Sequence, residues 1–383
     1  MTSRFPFPLE KGDKLRIYYQ IKELSKTFDL KLIALSDQPV SQEHLQELEQ
    51  FCSEIHIFPL SKFSYLSNAA WHLLTGKSFQ VGYFYNRKWI KRTNELLKKW
   101  KPAHIYTQLV RCTEYTKNYH DCPKTLDYMD ALGTGSERRA DKSNTLLKWI
   151  FKKEGERLKD YERRVFEYYD YKTIISEQDR RLIKHPDQRK IYAVPNGIDQ
   201  SFLTYDGAYT QQYEIGFIGN MNYAPNVDAV HYINEHYLSK NPSVKFLVAG
   251  ANPHASVLEL ANKDNITIAG WIDDIRTAYA DMKLFVAPMQ IGTGMQNKLL
   301  EAMAMGIPCI TTPLANNAIG GIHKESIWVV DTPEELSEAI NYLLENTNKA
   351  NEIGQKAKEF VAQNYSWDKS TELLVHLIEN KPI

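Results

Sequence analysis

The chain has 383 residues, 43% of them hydrophobic and 25% charged, and its 47 basic and 47 acidic side chains cancel to a net charge of zero. This is the balance of a soluble globular protein of about two domains, with no global field that points to nucleic acid or a membrane. The four cysteines (Cys52, Cys112, Cys122, Cys309) are scattered without CxxC spacing, which speaks against a zinc knuckle or disulfide frame and reads as reduced thiols in a cytoplasm. No apolar run reaches the roughly 18 residues that span a bilayer, and no signal peptide opens the chain.

The first stretch, MTSRFPFPLEKGDKLR, reads as a proline-containing loop followed by a helix. A doubly wound lobe normally begins with a strand, and this one starts where that strand would end. Either the strand is absent, or the start lies downstream of the natural one. An absent central strand would leave a gap in the sheet's ladder, which is costly. Strand candidates follow in LKLIAL, EIHIFPL, AHIYTQL, KTLDYM and YKTIIS, with a long charged helical stretch expected over roughly 136–169. IYAVPNGIDQSF reads as a strand leaving the first lobe and a Pro-Asn-Gly turn entering the second.

The C-terminal half repeats one unit of apolar strand, polar turn and amphipathic helix. YEIGFIGN leads into a helix starting near Asn226, VKFLVAG into ASVLELANK, ITIAGW into DDIRTAYADM, and LFVAP into a helix at 296–305, after which PCITT follows. Continuous apolar strands alternating with helices predict parallel sheets covered on both faces. The expected class is α/β, two doubly wound parallel-sheet lobes with a cleft between them. The N-terminal lobe covers 1–197, joined by the C-terminal helix 366–383, and the C-terminal lobe covers 198–365. Ligands in such sheets sit at the carboxyl ends of the strands.

The stretch IGTGMQNKLLEAMAMGIPCITT, from Ile291 to Thr312, carries the densest chemistry. Gly292 and Gly294 permit positive φ and close backbone approach just before a helix. The helix start near Gln296 and Asn297 offers free N–H groups and a partial positive charge. Lys298 sits in the first turn, where the dipole alone would prefer an acid, and a cation there makes sense facing a bound phosphate. Glu301, three residues on, shares its helix face. A cation beside an acceptor-only carboxylate suits a diphosphate and ribose hydroxyls. The same spacing also fits a surface Lys–Glu pair on an ordinary helix, and the residues alone leave both open. Gly306 and Pro308 stop the helix.

NKLLEAMAMGIPCITT, together with VPNGID, IGFIGNMNYAPNVDA, FLVAG, IAGWIDDI and the final YSWDKS in that order, resembles the signature of retaining glycosyltransferases that use nucleotide sugars. These have the GT-B fold of two Rossmann-like lobes and form the large group 1 family with many bacterial polysaccharide enzymes. The resemblance covers essentially the whole chain and is strongest to a bacterial subgroup with RFPFPLEKGDKLR near the start and LDYMDAL and ISEQDR in the first lobe. It implies a nucleoside diphosphate sugar held mainly by the second lobe. Glu301 would take the ribose hydroxyls, while Lys298 and the backbone from Gly294 through Met295 and Gln296 to Asn297 would hold diphosphate and sugar. Gly219, Asn220 and Asn222 would line the other side of the phosphates, the turn of Gly270, Trp271 and Ile272 would meet the base, and Gly12 would let a helix start approach the phosphates. Two departures stand out. Thr293 occupies the position where the family often has a first glutamate, and Met221 and Asn222 follow the G-N turn where many members carry an arginine.

In the first lobe, LDYMDALGTGSERRA places Asp127 and Asp130 at a strand end, as candidates for orienting or deprotonating an acceptor hydroxyl, or for capping the turn that follows. Glu177 and Gln178 occupy a similar strand end, Arg111 and Tyr115 follow another strand, and Arg138 and Arg139 suit an anionic acceptor or a solvated helix face. No Ser/His/Asp triad, P-loop or metal-ligand spacing is present, and GFIGN is not GxGxxG, which disfavours a nicotinamide. From Lys62 to Lys101, Lys77, Arg87, Lys88, Lys91, Arg92, Lys98 and Lys99 meet almost only Glu95, with Trp71, Phe79, Tyr83, Phe84, Tyr85 and Trp89 interleaved. That pattern suits a peripheral contact with an anionic membrane carrying a lipid-linked acceptor, or a basic solvated helix over a core rim.

The expectation is therefore a cytoplasmic hexosyltransferase-type enzyme (EC 2.4) of cell-surface polysaccharide or glycolipid synthesis. It would move a sugar to a hydroxyl of a glycan or lipid-linked glycan with retention, using Lys298, Asp127 and Asp130 and no metal or other cofactor. A nucleotide-sugar epimerase and a non-catalytic sugar-nucleotide-binding protein are the alternatives. A glycogen-type phosphorylase is disfavoured by the absence of a pyridoxal-binding lysine motif.

Overall fold

A computed structural model of the chain describes residues 1–61, 68, 72, 76–141, 143, 145–292 and 294–381. Its strands form where the sequence is apolar and β-branched, and every pairing in its sheets is parallel. Two units result, Met1–Pro195 with Trp367–Ile383, and Asn196–Ser366.

In the first unit, β1 (Lys31–Ser36) pairs with β2 (Glu54–Pro59), and β3 (Ile105–Gln108), β4 (Lys124–Asp127), β5 (Tyr171–Ile174) and β6 (Ile191–Ala193) form a second ladder in that order. Met1 and Thr2 lie between β1 and β3. Thr2 N donates to Ile33 O at 2.9 Å and Leu35 N to Thr2 O at 3.1 Å, while Gln108 N donates to Met1 O at 3.0 Å. The Met1 amino group donates to Tyr106 O at 2.8 Å. At these two residues the gap expected in the ladder is filled. The chain end returns to this unit because the helix Trp367–Ile378 buries Leu374 and Leu377 against Leu24 and Val194, and stacks Trp367 on Tyr19 at 4.9 Å.

The charged stretch expected as one helix over 136–169 is two helices, Leu132–Asp141 and Thr145–Val165. Ser143 lies between them, and its short polar side chain competes for backbone groups. Ser143 Oγ donates to Arg139 O at 2.8 Å there.

The second unit holds one six-stranded sheet in the order β12-β11-β10-β7-β8-β9. Its strands are β7 (Tyr213–Ile218), β8 (Phe246–Ala249), β9 (Ile266–Gly270), β10 (Met282–Ala287), β11 (Cys309–Thr311) and β12 (Trp328–Val329). Phe217, Val248, Phe285, Val286 and Ile310 are fully buried between covering helices. Chain order reverses between β7 and β10, so their carboxyl ends open a crevice at a topological switch point. No described helix is long and apolar enough to cross a membrane.

Candidate functional site

The β7–β10 crevice is lined by two loops. After β7, the Gly219 N–H continues the ladder to Ala249 O at 3.0 Å, and Asn220 folds an Asx turn by accepting from Asn222 N at 3.0 Å. A Cβ on Gly219 would lie 2.6 Å from Asn226 Nδ2, so glycine is what lets Asn226 reach the crevice. After β10, Gly292 (φ 122°) and Gly294 (φ 76°) make the backbone turn that only glycine adopts without strain. That turn delivers the helix Asn297–Ala304, whose N-cap Gln296 offers no side-chain cap. Thr293 lies outside the described residues, and Met295 is half-buried against the core of the unit.

Lys298 and Glu301 share a face of this helix, yet they form no ion pair. Each has neutral partners instead. Lys298 Nζ donates to Asn226 Oδ1 at 2.5 Å and Gln296 Oε1 at 3.2 Å, and sits 5.0 Å from the Phe217 ring centre. Asn226 is in turn fixed by donating from Nδ2 to Asn220 O at 2.9 Å. Glu301 Oε2 accepts from the hydroxyl of the fully buried Tyr279 at 2.8 Å. Burial lowers the Lys298 pKa to about 7, against the pull of Glu301. Burial raises the Glu301 carboxyl, offset by Tyr279 and Lys298. Lys298 and Glu301 thus lie on one face with no ion pair between them, each held by neutral partners. The surface-pair reading of this spacing does not describe them.

The other expected residues divide. Met221 is buried in the core of the unit. Asn297 turns its side chain to accept from Asn196 Nδ2 at 2.9 Å, tying the helix start to the linker segment. Trp271, in the turn after β9, is 63% exposed and its Nε1 donates to Asp273. Gly270 precedes it and Ile272 packs partly against the core. Sequence reasoning missed Tyr279 and the partner role of Asn226.

In the first unit Gly12 opens the helix Gly12–Leu24. Asp127 is not available for catalysis, which corrects the expectation. It is fully buried and its oxygens accept from Arg16 Nε at 2.7 Å, Arg16 Nη2 at 3.2 Å, Thr173 Oγ1 at 3.0 Å and Met129 N at 3.2 Å. A carboxylate so occupied anchors structure. Asp130 is half-buried, and its charge adds to the burial that raises the pKa of Glu162 to about 8, while Glu162 accepts from Gly133 N at 3.1 Å. Arg111 binds Gln80 Oε1 at 2.7 Å, and Tyr115 is buried with its hydroxyl on Phe84 O. Glu177 pairs with Arg180, and Arg139 covers the Phe151 ring at 4.5 Å. Arg4, which sequence reading passed over, pairs with Asp13 at 2.5 Å. Among the described residues no His/Cys/Asp/Glu group is placed to hold a metal ion.

Of the run 62–101, Trp71 and Lys62 lie outside the described residues. Trp89 stacks on Phe58 at 4.7 Å and donates to Pro59 O, so this aromatic faces inward. Arg87, Lys88, Lys91, Arg92, Lys98 and Lys99 remain exposed.

Residues 212–346 match the family model for glycosyl transferases group 1. A protein of the cps region of Klebsiella pneumoniae is 22% identical over 382 residues, covering 94% of each chain. Among solved structures, sucrose-phosphate synthase from Thermosynechococcus elongatus superposes with a TM-score of 0.71 at 13% identity, covering 97% of this chain and 93% of that one. HepE of Anabaena in complex with UDP-glucose gives 0.69 at 12% identity, covering 99% and 98%. The chain has the GT-B fold of two Rossmann-like lobes, and the domain match supports a glycosyltransferase.

Proposed function

We propose that the chain moves a sugar from a nucleoside diphosphate sugar to an acceptor hydroxyl with retention, in the synthesis of a cell-surface polysaccharide or glycolipid. The observation that carries this reading is the uncapped helix Asn297–Ala304 at the switch point, with Lys298 and Glu301 on one face and held apart. Its amino end and Lys298 meet the diphosphate, and Glu301 takes the ribose hydroxyls. Gly219 and Asn220 leave room for the phosphates, and the exposed Trp271 offers a flat face to the base. The relative in the cps region and the UDP-glucose complex of HepE support both the pathway and a UDP-sugar donor.

As the glycosidic bond breaks, negative charge grows on the leaving diphosphate. Preorganised donors already aimed there stabilise it at no reorganisation cost at the moment of reaction. Lys298 becomes fully protonated as that charge arrives. In this reading no metal ion is required. The donor lobe is 198–365 and the acceptor lobe is 1–197 with 366–383. Asp130 is then the first-lobe carboxylate left to orient the acceptor hydroxyl. The exposed lysines and arginines between Arg87 and Lys99 supply the charge for a peripheral contact with an anionic cytoplasmic membrane face.

The test is incubation of purified protein with UDP- and GDP-sugars, with and without EDTA. Slow release of the nucleoside diphosphate, unaffected by EDTA, is expected. An epimerised donor would identify an epimerase, binding without turnover a sugar-nucleotide-binding protein, and no binding would overturn the reading.

A further inference from the structure

Tyr279 lies on the short helix Ile275–Ala280, outside every motif that points to the nucleotide. Its side chain is fully buried, with its ring 5.6 Å from Phe285 and 6.2 Å from Phe202. The helix is itself pinned, because Asp274 caps it and holds Arg276 through two bonds of 2.8 Å. A phenol so confined has one position for its hydroxyl. Its one proton is shared between Glu301 Oε2 at 2.8 Å and the Lys298 carbonyl at 3.0 Å, so the hydroxyl meets the Glu301 carboxylate and the backbone of the same helix Asn297–Ala304. Among the described residues no hydrogen bond reaches Glu301 Oε1. One carboxylate oxygen is therefore anchored and the other is left over.

We propose that Tyr279 is a positioning residue of the nucleotide site, which locks the rotation of the Glu301 carboxylate and presents Oε1 to the ribose hydroxyls. This rests on the nucleotide reading given above. A carboxylate on a flexible side chain loses rotamer freedom when it grips a diol, and a rigid partner removes that loss before binding. The hydroxyl also supports the charged carboxylate, since a donor to an ionised acceptor is stronger than one to a neutral group. A tyrosine that merely filled the core would do so equally well as phenylalanine.

The experiment measures calorimetric affinity for UDP or GDP, whichever the wild type binds, and for its 2′,3′-dideoxy form. Tyr279→Phe is expected to weaken the ribonucleotide about five- to tenfold and to leave the dideoxynucleotide unchanged. The double variant Tyr279→Phe/Glu301→Gln should bind no more weakly than Glu301→Gln alone. An equal loss for both nucleotides, no loss for either, or additive losses in the double variant would overturn the assignment. Wild-type protein that binds neither nucleotide would instead defeat the nucleotide reading itself, and the role of Tyr279 with it.

Discussion

Each unit buries charge at the carboxyl ends of its strands, and the two do so in opposite ways. In the first, Arg16 and Asp127 face each other with no exposure and satisfy one another, with Val194 O and Thr173 taking what remains. In the second, Lys298 and Glu301 are kept apart and solvated by Asn226, Gln296 and Tyr279. A charge met by its opposite has little left to offer a ligand, whereas one met by neutral dipoles keeps most of its field. Lys298 and Glu301 are neighbours on one helix, whereas Arg16 and Asp127 lie 111 residues apart. The partner distinguishes the mutually satisfied pair from the one held by neutral groups, to which the proposed function gives the nucleotide.

The largest effect should come from breaking the first pair. Arg16→Met leaves Asp127 buried without its counter-charge and is expected to destabilise the first unit by about 3–5 kcal/mol. Lys298→Met removes a poorly solvated cation from the second unit and should leave stability unchanged or raised while nucleotide binding is lost. Thermal unfolding of both variants, followed with and without UDP, checks this. Equal destabilisation would erase the distinction between the pairs.

Next in size is Glu301→Ala, which removes the acceptor assigned to ribose. A loss of about 1.5–3 kcal/mol in nucleotide affinity, roughly 10- to 150-fold, is the value for a hydrogen bond to a charged group. Calorimetry with the nucleoside diphosphate measures it. Unchanged affinity would place the ligand elsewhere and leave Glu301 as a structural group like Asp127.

The fold was legible because buried parallel strands read as continuous apolar runs, and β7, β8 and β10 show this plainly in YEIGFI, FLVA and MKLFVA. The two-residue β12 at Trp328–Val329 carries no such signal. The turn glycines and the Lys298–Glu301 spacing were legible for a local reason, since one helix face and one turn fix them. Asp127 was misread because its partner Arg16 lies 111 residues away in sequence. Tyr279 was invisible on the same ground, since "RTAYADM" gives no hint that its hydroxyl ends on a helix two elements later. Packing of Trp89 on Phe58 likewise leaves a residue that reads as a membrane anchor half-buried at the rim of a core cluster.

A smaller effect separates the pairs by pH. Lys298 falls from 10.5 to about 7 through burial. Between those values the unfolded chain binds more protons than the folded site, so ligand-free stability rises with pH through that window. On the proposed function, diphosphate binding restores the proton. Affinity should therefore be full below pH 7 and decline by up to tenfold per unit above it. Calorimetric heats of the wild type near pH 8 that change with the ionisation enthalpy of the buffer would show this proton uptake, and heats independent of the buffer would refute it.

The last effect belongs to Glu162 in the first unit, and its sign is reversed. Burial pushes this carboxyl from 4.5 up to about 8, with the Gly133 N–H opposing and the charge of Asp130 adding. Between those values the folded state binds more protons than the unfolded one. The contribution is full below about pH 4.5 and is lost as pH rises towards 8. Glu162→Gln keeps an acceptor for Gly133 N and removes the titration, so the melting temperature should fall less between pH 5 and 8 than in the wild type. The slopes of Glu162 and Lys298 oppose each other and overlap only near pH 7–8. A melting series in the two single variants therefore separates the units by the sign of the change. A slope that survives unchanged in Glu162→Gln would refute Glu162 as the group that titrates.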